Sequence, residues 1–232
     1  MSSININSTQ NGNGWRTQAM YTFGEVAQLS GVSTGTVKNW LFGYKVQDRE
    51  VQPLFKPFDK QVPMVSFLNL IEIVVAAQFR KAEHCPFQTV RQAHINAREL
   101  FKLDYPFAHL ELKAIGRHIV RLIRGEQPDL SVQAMDAPQQ WTLPGLVTDT
   151  IEQLVYEKEL AARWFPKGTG VPIVVDPRIS SGMPVVFGRG VTVKVIRKRF
   201  MAGQKISFIA QDFEIEEPIV EEIVRYAEQV AA

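Results

Sequence analysis

Residues 22–41, TFGEVAQLSGVSTGTVKNWL, place apolar side chains with the spacing of two short helices broken by a glycine turn. Thr22 and Glu25 make a T-x-x-E capping box, which starts the first helix at Phe23. Val26, Ala27 and Leu29 give that helix an inward face, and Gly31 can take the positive φ of a tight turn. Ser33 is placed to cap a second helix, in which Val37, Trp40 and Leu41 face inward. Thr34, Gly35, Thr36, Lys38 and Asn39 are left pointing outward.

Further along, residues 67–79 are so uniformly apolar that the helix they predict must be covered on most sides. Its own domain and a second subunit are both candidate covers, and this helix is the expected dimer contact. Pro86 suits the start of the next helix, with Phe87, Val90, Ala93, Ala97, Leu100 and Phe101 on one face and Arg91, Arg98 and Lys102 on the other. Alternation around Leu110 and Leu112, and again over 118–123, predicts a hairpin turning at Ile115-Gly116-Arg117. Helical spacing returns over residues 146–164, followed by a Pro/Gly linker. The last sixty residues read as two short strands, at 171–175 and 185–186, and three helices. Thr192 caps the first of these, Ser207 the second, and the third covers 216–230.

Residues 1–20 are Ser, Asn, Gln and Gly with few apolar groups, and are expected to form a flexible tail. At 232 residues, 45% hydrophobic and 22% charged, the chain can bury a core and divides into small units: tail 1–20, DNA-binding-type unit 21–105, hairpin-and-helix connector 106–170 and helical domain 171–232. The fold class expected is mainly α with small β elements. The single cysteine, Cys85, excludes an internal disulfide, and no apolar run reads as a signal peptide or membrane span, so a reducing cytoplasm is the default location.

Two short helices about a glycine turn have the shape of a helix-turn-helix DNA reader, with short hydroxyls and amides for base edges and Lys38 for phosphate. The same pattern also suits two helices that only pack. The net charge of +2 is too small for indiscriminate nucleic-acid binding, but the C-terminal quarter is polarised. Arg189, Lys194, Arg197 and Lys198 fall in a stretch without acids, whereas residues 212–228 are dominated by Glu. Those two stretches can also be solvated faces that attract each other within the domain.

No glycine-rich phosphate loop, C-x-x-C or H-x-x-x-H pair is present, so neither cofactor nor metal is expected. His84 beside Cys85 and His94 on the next helix read as surface or cap residues, and His109 and His118 as strand residues. Asp176, before Pro177, reads as the start of an Asx turn rather than a catalytic acid. No catalytic residues are assigned, and the chain is expected not to be an enzyme.

The run YTFGEVAQLSGVSTGTVKNWL resembles the start of MerR-type winged helix-turn-helix domains, through Tyr21-Thr22, the Ala27 and Gly31 spacing and Trp40. The resemblance implies that Ser33, Thr34, Thr36, Lys38 and Asn39 meet the major groove. It also implies a following wing hairpin, from which Lys45, Arg49, Lys56 and Lys60 would reach phosphate. The stretch 42–63 is longer and richer in Pro than the usual wing.

The C-terminal run resembles the antitoxin-associated domain-of-unknown-function family 433, at Asp176, Pro177, Gly182, Pro184, Gly188, Val191, Val193, Gly203, Ile209, Ala210, Phe213 and Tyr226. Family members commonly carry Gly-Thr-Arg where this chain has Gly188-Arg189-Gly190. The whole chain is similar to the larger VapB-type antitoxins. That resemblance implies a homodimer that binds operator DNA, represses its own operon and blocks a PIN-type ribonuclease toxin. Arg189, Lys194, Arg197 and Lys198 are the candidate toxin contacts. A stand-alone MerR-like regulator without a toxin, and an interaction scaffold without DNA binding, are the alternatives.

Overall fold

The computed structural model describes residues 14–55, 63–83, 87–110 and 145–231. It is mainly helical, with four small antiparallel two-stranded sheets among those residues. The expected hairpin around 112–123, and Lys56, Lys60, His84, Cys85 and His118, lie outside the described residues.

The chain opens with a short helix α1 (Gly14–Thr17) and strand β1 (Ala19–Thr22). The helix-turn-helix follows as α2 (Phe23–Ser30) and α3 (Thr34–Phe42), then the hairpin β2 (Tyr44–Val46) and β3 (Arg49–Val51). Strand β4 (Met64–Ser66) pairs antiparallel with β1 and leads into α4 (Phe67–Glu83) and α5 (Phe87–Phe101).

Helix α4 is the axis of this unit. Phe67, Leu68, Leu70, Ile71, Ile73, Val75, Ala76 and Phe79 are all fully buried, because α2, α5, the 3-10 turn Pro106–Ala108 and α6 (Gly145–Glu152) pack around it. The expectation that residues 67–79 form a dimer contact is therefore corrected: their apolarity is consumed within one chain. Fully burying side chains of this size stabilises by about 1.5–3 kcal/mol each before conformational entropy is counted.

A buried carboxylate, Glu72, lies among these apolar side chains. Glu72 Oε1 accepts from the Phe107 amide at 2.7 Å, and its Oε2 meets His94 Nε2 in a short contact. Phe55 and Phe107 set their rings edge-on against the imidazole. His94 is thus a fully buried core residue rather than the surface or cap residue expected from the sequence. Its unforeseen partner lies 22 positions earlier, a separation that local periodicity does not register.

Beyond α6 the expected continuous helix over 146–164 gives way to a hairpin, β5 (Leu154–Glu157) and β6 (Leu160–Trp164). The turn uses Lys158 and Glu159 at φ of 50° and 67°, positive values without Gly or Asn to announce them. Nor is this region only a connector. Val147, Ile151, Leu154, Ala161 and Trp164 belong to the same core as α4.

The C-terminal unit pairs β7 (Ile173–Val174) with β8 (Val185–Val186) and adds helices α7 (Val193–Met201), α8 (Ile206–Phe213) and α9 (Glu217–Ala231) around their own apolar core. Thr192 caps α7 as expected. Ser207 does not cap α8, which begins one residue earlier, behind Lys205 and with no side-chain cap.

An ionic cluster ties this unit to the first. Arg178 donates to both oxygens of Asp176 and to both oxygens of Glu157, and Arg163 Nε lies 3.1 Å from Asp176 Oδ2. Arg16, buried, donates to the Ala161 and Glu157 carbonyls at 3.1 and 2.9 Å, and the Arg178 guanidinium sits 4.5 Å from the Trp15 ring. Residues 14–20 are thus structured parts of the join, which corrects the tail expected over 1–20; residues 1–13 lie outside the described residues. Gly182, at φ 74°, seals the join: a Cβ there would stand 2.2 Å from the Tyr21 hydroxyl oxygen.

Burial alone would push the Asp176 carboxyl up, but hydrogen bonds from the Arg178 side chain and amide, with the charges of Arg178 and Arg163, outweigh it and hold the group below its ordinary 3.8. A depressed folded value means stability that is present above the unfolded value and lost as pH falls through the folded one. Urea unfolding followed from pH 7 to pH 2 should therefore show a loss of stability below about pH 4, part of which disappears in Asp176→Asn. At neutral pH, Glu72→Ala should cost about 2–3 kcal/mol by the same measurement, because it leaves the Phe107 amide and the His94 ring without their buried acceptor.

Candidate nucleic-acid interface

The local chemistry of residues 22–43 fixes the outward rim of α3. The Thr22 amide donates to Glu25 Oε2 at 2.8 Å and the Glu25 amide to Thr22 Oγ1 at 3.2 Å, closing the capping box. Gly31 ends α2 in the left-handed region at φ 70°, and the Ser33 hydroxyl accepts from the Thr36 amide at 3.1 Å to start α3. Val37, Trp40 and Leu41 are buried, so Thr34, Gly35, Lys38 and Asn39 face out and are exposed.

The five expected groove residues are not equivalent. The Ser33 and Thr36 hydroxyls lie 2.8 Å apart and bond each other, so both serve the cap. Thr34, Lys38 and Asn39 carry no such tie among the described residues. Lys38 rests its ammonium 5.6 Å from the Phe23 ring, which is itself packed edge-on against Phe42. The cation is thereby held at the rim without being neutralised.

The hairpin after α3 is clamped to the same frame. Leu54 and Phe55 donate their amides to the Trp40 carbonyl at 2.8 and 3.2 Å, and Arg91 reaches from α5 to the carbonyls of Gln52 and Pro53. Trp40 stacks parallel on Phe87 at 4.9 Å, joining α3 to α5. Gly43 lets the chain turn back, since a Cβ there would stand 2.2 Å from the Val51 carbonyl oxygen. Arg91, read from the sequence as a residue of α5's polar face, therefore fixes the hairpin from behind.

Lys45 and Arg49 are both exposed on this hairpin, but the register separates them. Lys45 pairs with Glu50 and Arg49 with Val46, and successive residues of a strand point to opposite faces. Lys45 and Arg49 thus address opposite sides of the hairpin.

Of the four basic residues picked out near the C terminus, Arg189 donates to Glu214 at 2.6 Å, and Arg197 is half-buried. Lys194 and Lys198 are exposed and have no acidic partner among the described residues. The opposite charges of this quarter do attract within the domain at Arg189–Glu214 and Arg199–Asp212. Asp176 accepts from the Arg178 amide at 2.9 Å, the Asx turn expected of it.

Comparison with known proteins adds two matched segments. Residues 19–94 match the family model described as "Putative DNA-binding HTH domain", and residues 173–227 that described as "Protein of unknown function (DUF433)". Two proteins of Mycobacterium tuberculosis are similar along most of their length. "Uncharacterized protein Rv2308" is 26% identical over 90% of this chain and 90% of its own, and "Putative antitoxin VapB45" is 24% identical over 84% and 87%. The crystal structure of Rv2018 from the same organism shares the fold, with a TM-score of 0.71 over 89% of this chain and 98% of that one at 20% identity.

The cap geometry generates a direct test. Ser33→Ala removes the acceptor of the Thr36 amide and should lower stability by about 1 kcal/mol in urea unfolding, while Thr34→Ala, outside that bond, should leave stability within about 0.5 kcal/mol.

Proposed function

We propose that the chain is a DNA-binding antitoxin. In this reading its MerR-like winged helix-turn-helix binds operator DNA as a homodimer and represses its own operon, while another part of the chain binds and neutralises a PIN-type ribonuclease. The observation that carries the DNA half is the exposed rim Thr34, Lys38 and Asn39 on a helix capped at Ser33 and braced through Trp40. A helix so presented can enter a major groove, and the clamped hairpin can follow the flanking backbone. Support for the antitoxin half is the similarity, along most of the chain, to the relative that carries that word in its name.

No step of chemistry is assigned to the chain itself. Asp176, the acid singled out by its motif, spends its carboxylate on Arg178 and Arg163, which fits a structural post rather than a catalytic one.

Binding of the full chain to duplex DNA from its own upstream region, followed by fluorescence anisotropy across a salt series, tests the DNA half. Lys38→Ala should weaken binding to all sequences and lower the salt slope by about one unit, as one lost phosphate contact does. Asn39→Ala should instead change sequence preference by about 1–3 kcal/mol. Unaltered binding in both variants would remove α3 as the reading helix. Co-elution with a PIN-type neighbour tests the other half; DNA binding without co-elution would leave a stand-alone regulator.

A further inference from the structure

On α7, Lys194, Val195, Lys198 and Met201 project from the same outward face, opposite the buried Val193 and Ile196. Val195 is 42% exposed and Met201 64%, and on the neighbouring helix α8 Phe208 is 53% exposed. Arg199 bridges the two helices. Its guanidinium lies 5.8 Å from the Phe208 ring and 4.9 Å from that of Phe213, while the charge is met by Asp212 at 2.5 Å. The two packed helices thus expose three large apolar groups together with two lysines.

The chemistry of this face selects its partner. A DNA backbone would reward the lysines but leave Val195, Met201 and Phe208 in water, since phosphate and sugar offer little to bury them. A protein surface that sets apolar side chains among carboxylates satisfies both kinds of group. Isolated exposed apolar residues need no explanation, but three large ones on two packed helices, beside lysines without an acidic partner among the described residues, suit a contact site. The lysines add the steering and specificity that opposite charge supplies.

We infer that the α7–α8 face, through Lys194, Val195, Lys198, Met201 and Phe208, docks an acidic, apolar segment of the protein partner. This rests on the antitoxin reading and deepens it, because it replaces a row of basic residues with a mixed surface. Arg189, spent on Glu214, and the half-buried Arg197 drop out of that surface. The charge of the face sets the rate of encounter, and its apolar groups set how long the complex lasts. Tyr226, Ile196 and Ile209 hold the face in place from beneath, so substitutions on its outer side leave the core untouched.

The test uses the full chain and the purified product of the neighbouring reading frame, with affinity and association rate measured by biolayer interferometry. Met201→Asp and Phe208→Ala should each weaken the complex by about tenfold or more, through faster dissociation. Lys194→Glu with Lys198→Glu should slow association several-fold and reduce its dependence on salt. Far-ultraviolet circular dichroism of each variant should match the parent, and DNA binding should be unchanged. If the parent binds the neighbour and all these variants bind within twofold of it, the docking face is elsewhere and the inference falls while the antitoxin reading stands. Loss of DNA binding in the lysine variant, with the protein complex intact, would overturn it in favour of a second DNA contact. If the parent does not bind the neighbour at all, the antitoxin reading falls and takes this inference with it.

Discussion

The burial of helix α4 is the constraint on which the rest of the first unit depends. A helix whose residues 67–79 are apolar on nearly every side has to be surrounded, and α2, α5, the 3-10 turn and α6 supply the walls. That enclosure sets where α2 lies, and through the Gly31 turn it sets where α3 can lie. The buried pair Glu72 and His94 then makes the enclosure specific. Only an arrangement that brings the Phe107 amide and the His94 ring to one carboxylate leaves that buried acid with its acceptor bonds made.

A rigid frame of this kind makes an exposed rim meaningful. Trp40 faces inward from α3, takes the amides of Leu54 and Phe55 on its carbonyl and stacks on Phe87, so helix, hairpin stalk and α5 are joined at one residue. The residues on the other side of α3 are thereby presented at fixed spacing, which is what reading a groove demands of them. The Asp176, Arg178, Glu157 and Arg16 cluster joins the second unit to the β5–β6 hairpin and α1. The two candidate contact surfaces, α3 with its hairpin and the α7–α8 face, therefore belong to elements tied into one structure.

Much of this was legible in residue order where the causes are local. The capping box, the Gly31 turn, the Ser33 and Thr192 caps and the inward trio of α3 all follow from interactions spanning three or four positions. What stayed hidden depends on residues far apart. The Arg16 bonds to Ala161 and Glu157 span more than a hundred positions, so an Asn- and Ser-rich opening segment read as tail although its end is anchored. The β5–β6 hairpin was masked because its turn uses Lys158 and Glu159 at positive φ and its flanking residues also fit a helical period. Ser33 and Thr36 could be placed on the rim from spacing, but that their hydroxyls bond each other required coordinates. Likewise, counting charge singled out Arg189 and Arg197, and only their surroundings separate them from Lys194 and Lys198.

The central claim is that the outward rim of α3, with its hairpin, is the surface that meets DNA. Hydrogen–deuterium exchange of the full chain, with and without duplex DNA from its own upstream region, tests it most directly. The account predicts slowed exchange in peptides covering residues 31–51, with α4 already protected in both states. Slowing confined to residues 187–213, or none anywhere at a DNA concentration that saturates binding, would contradict it.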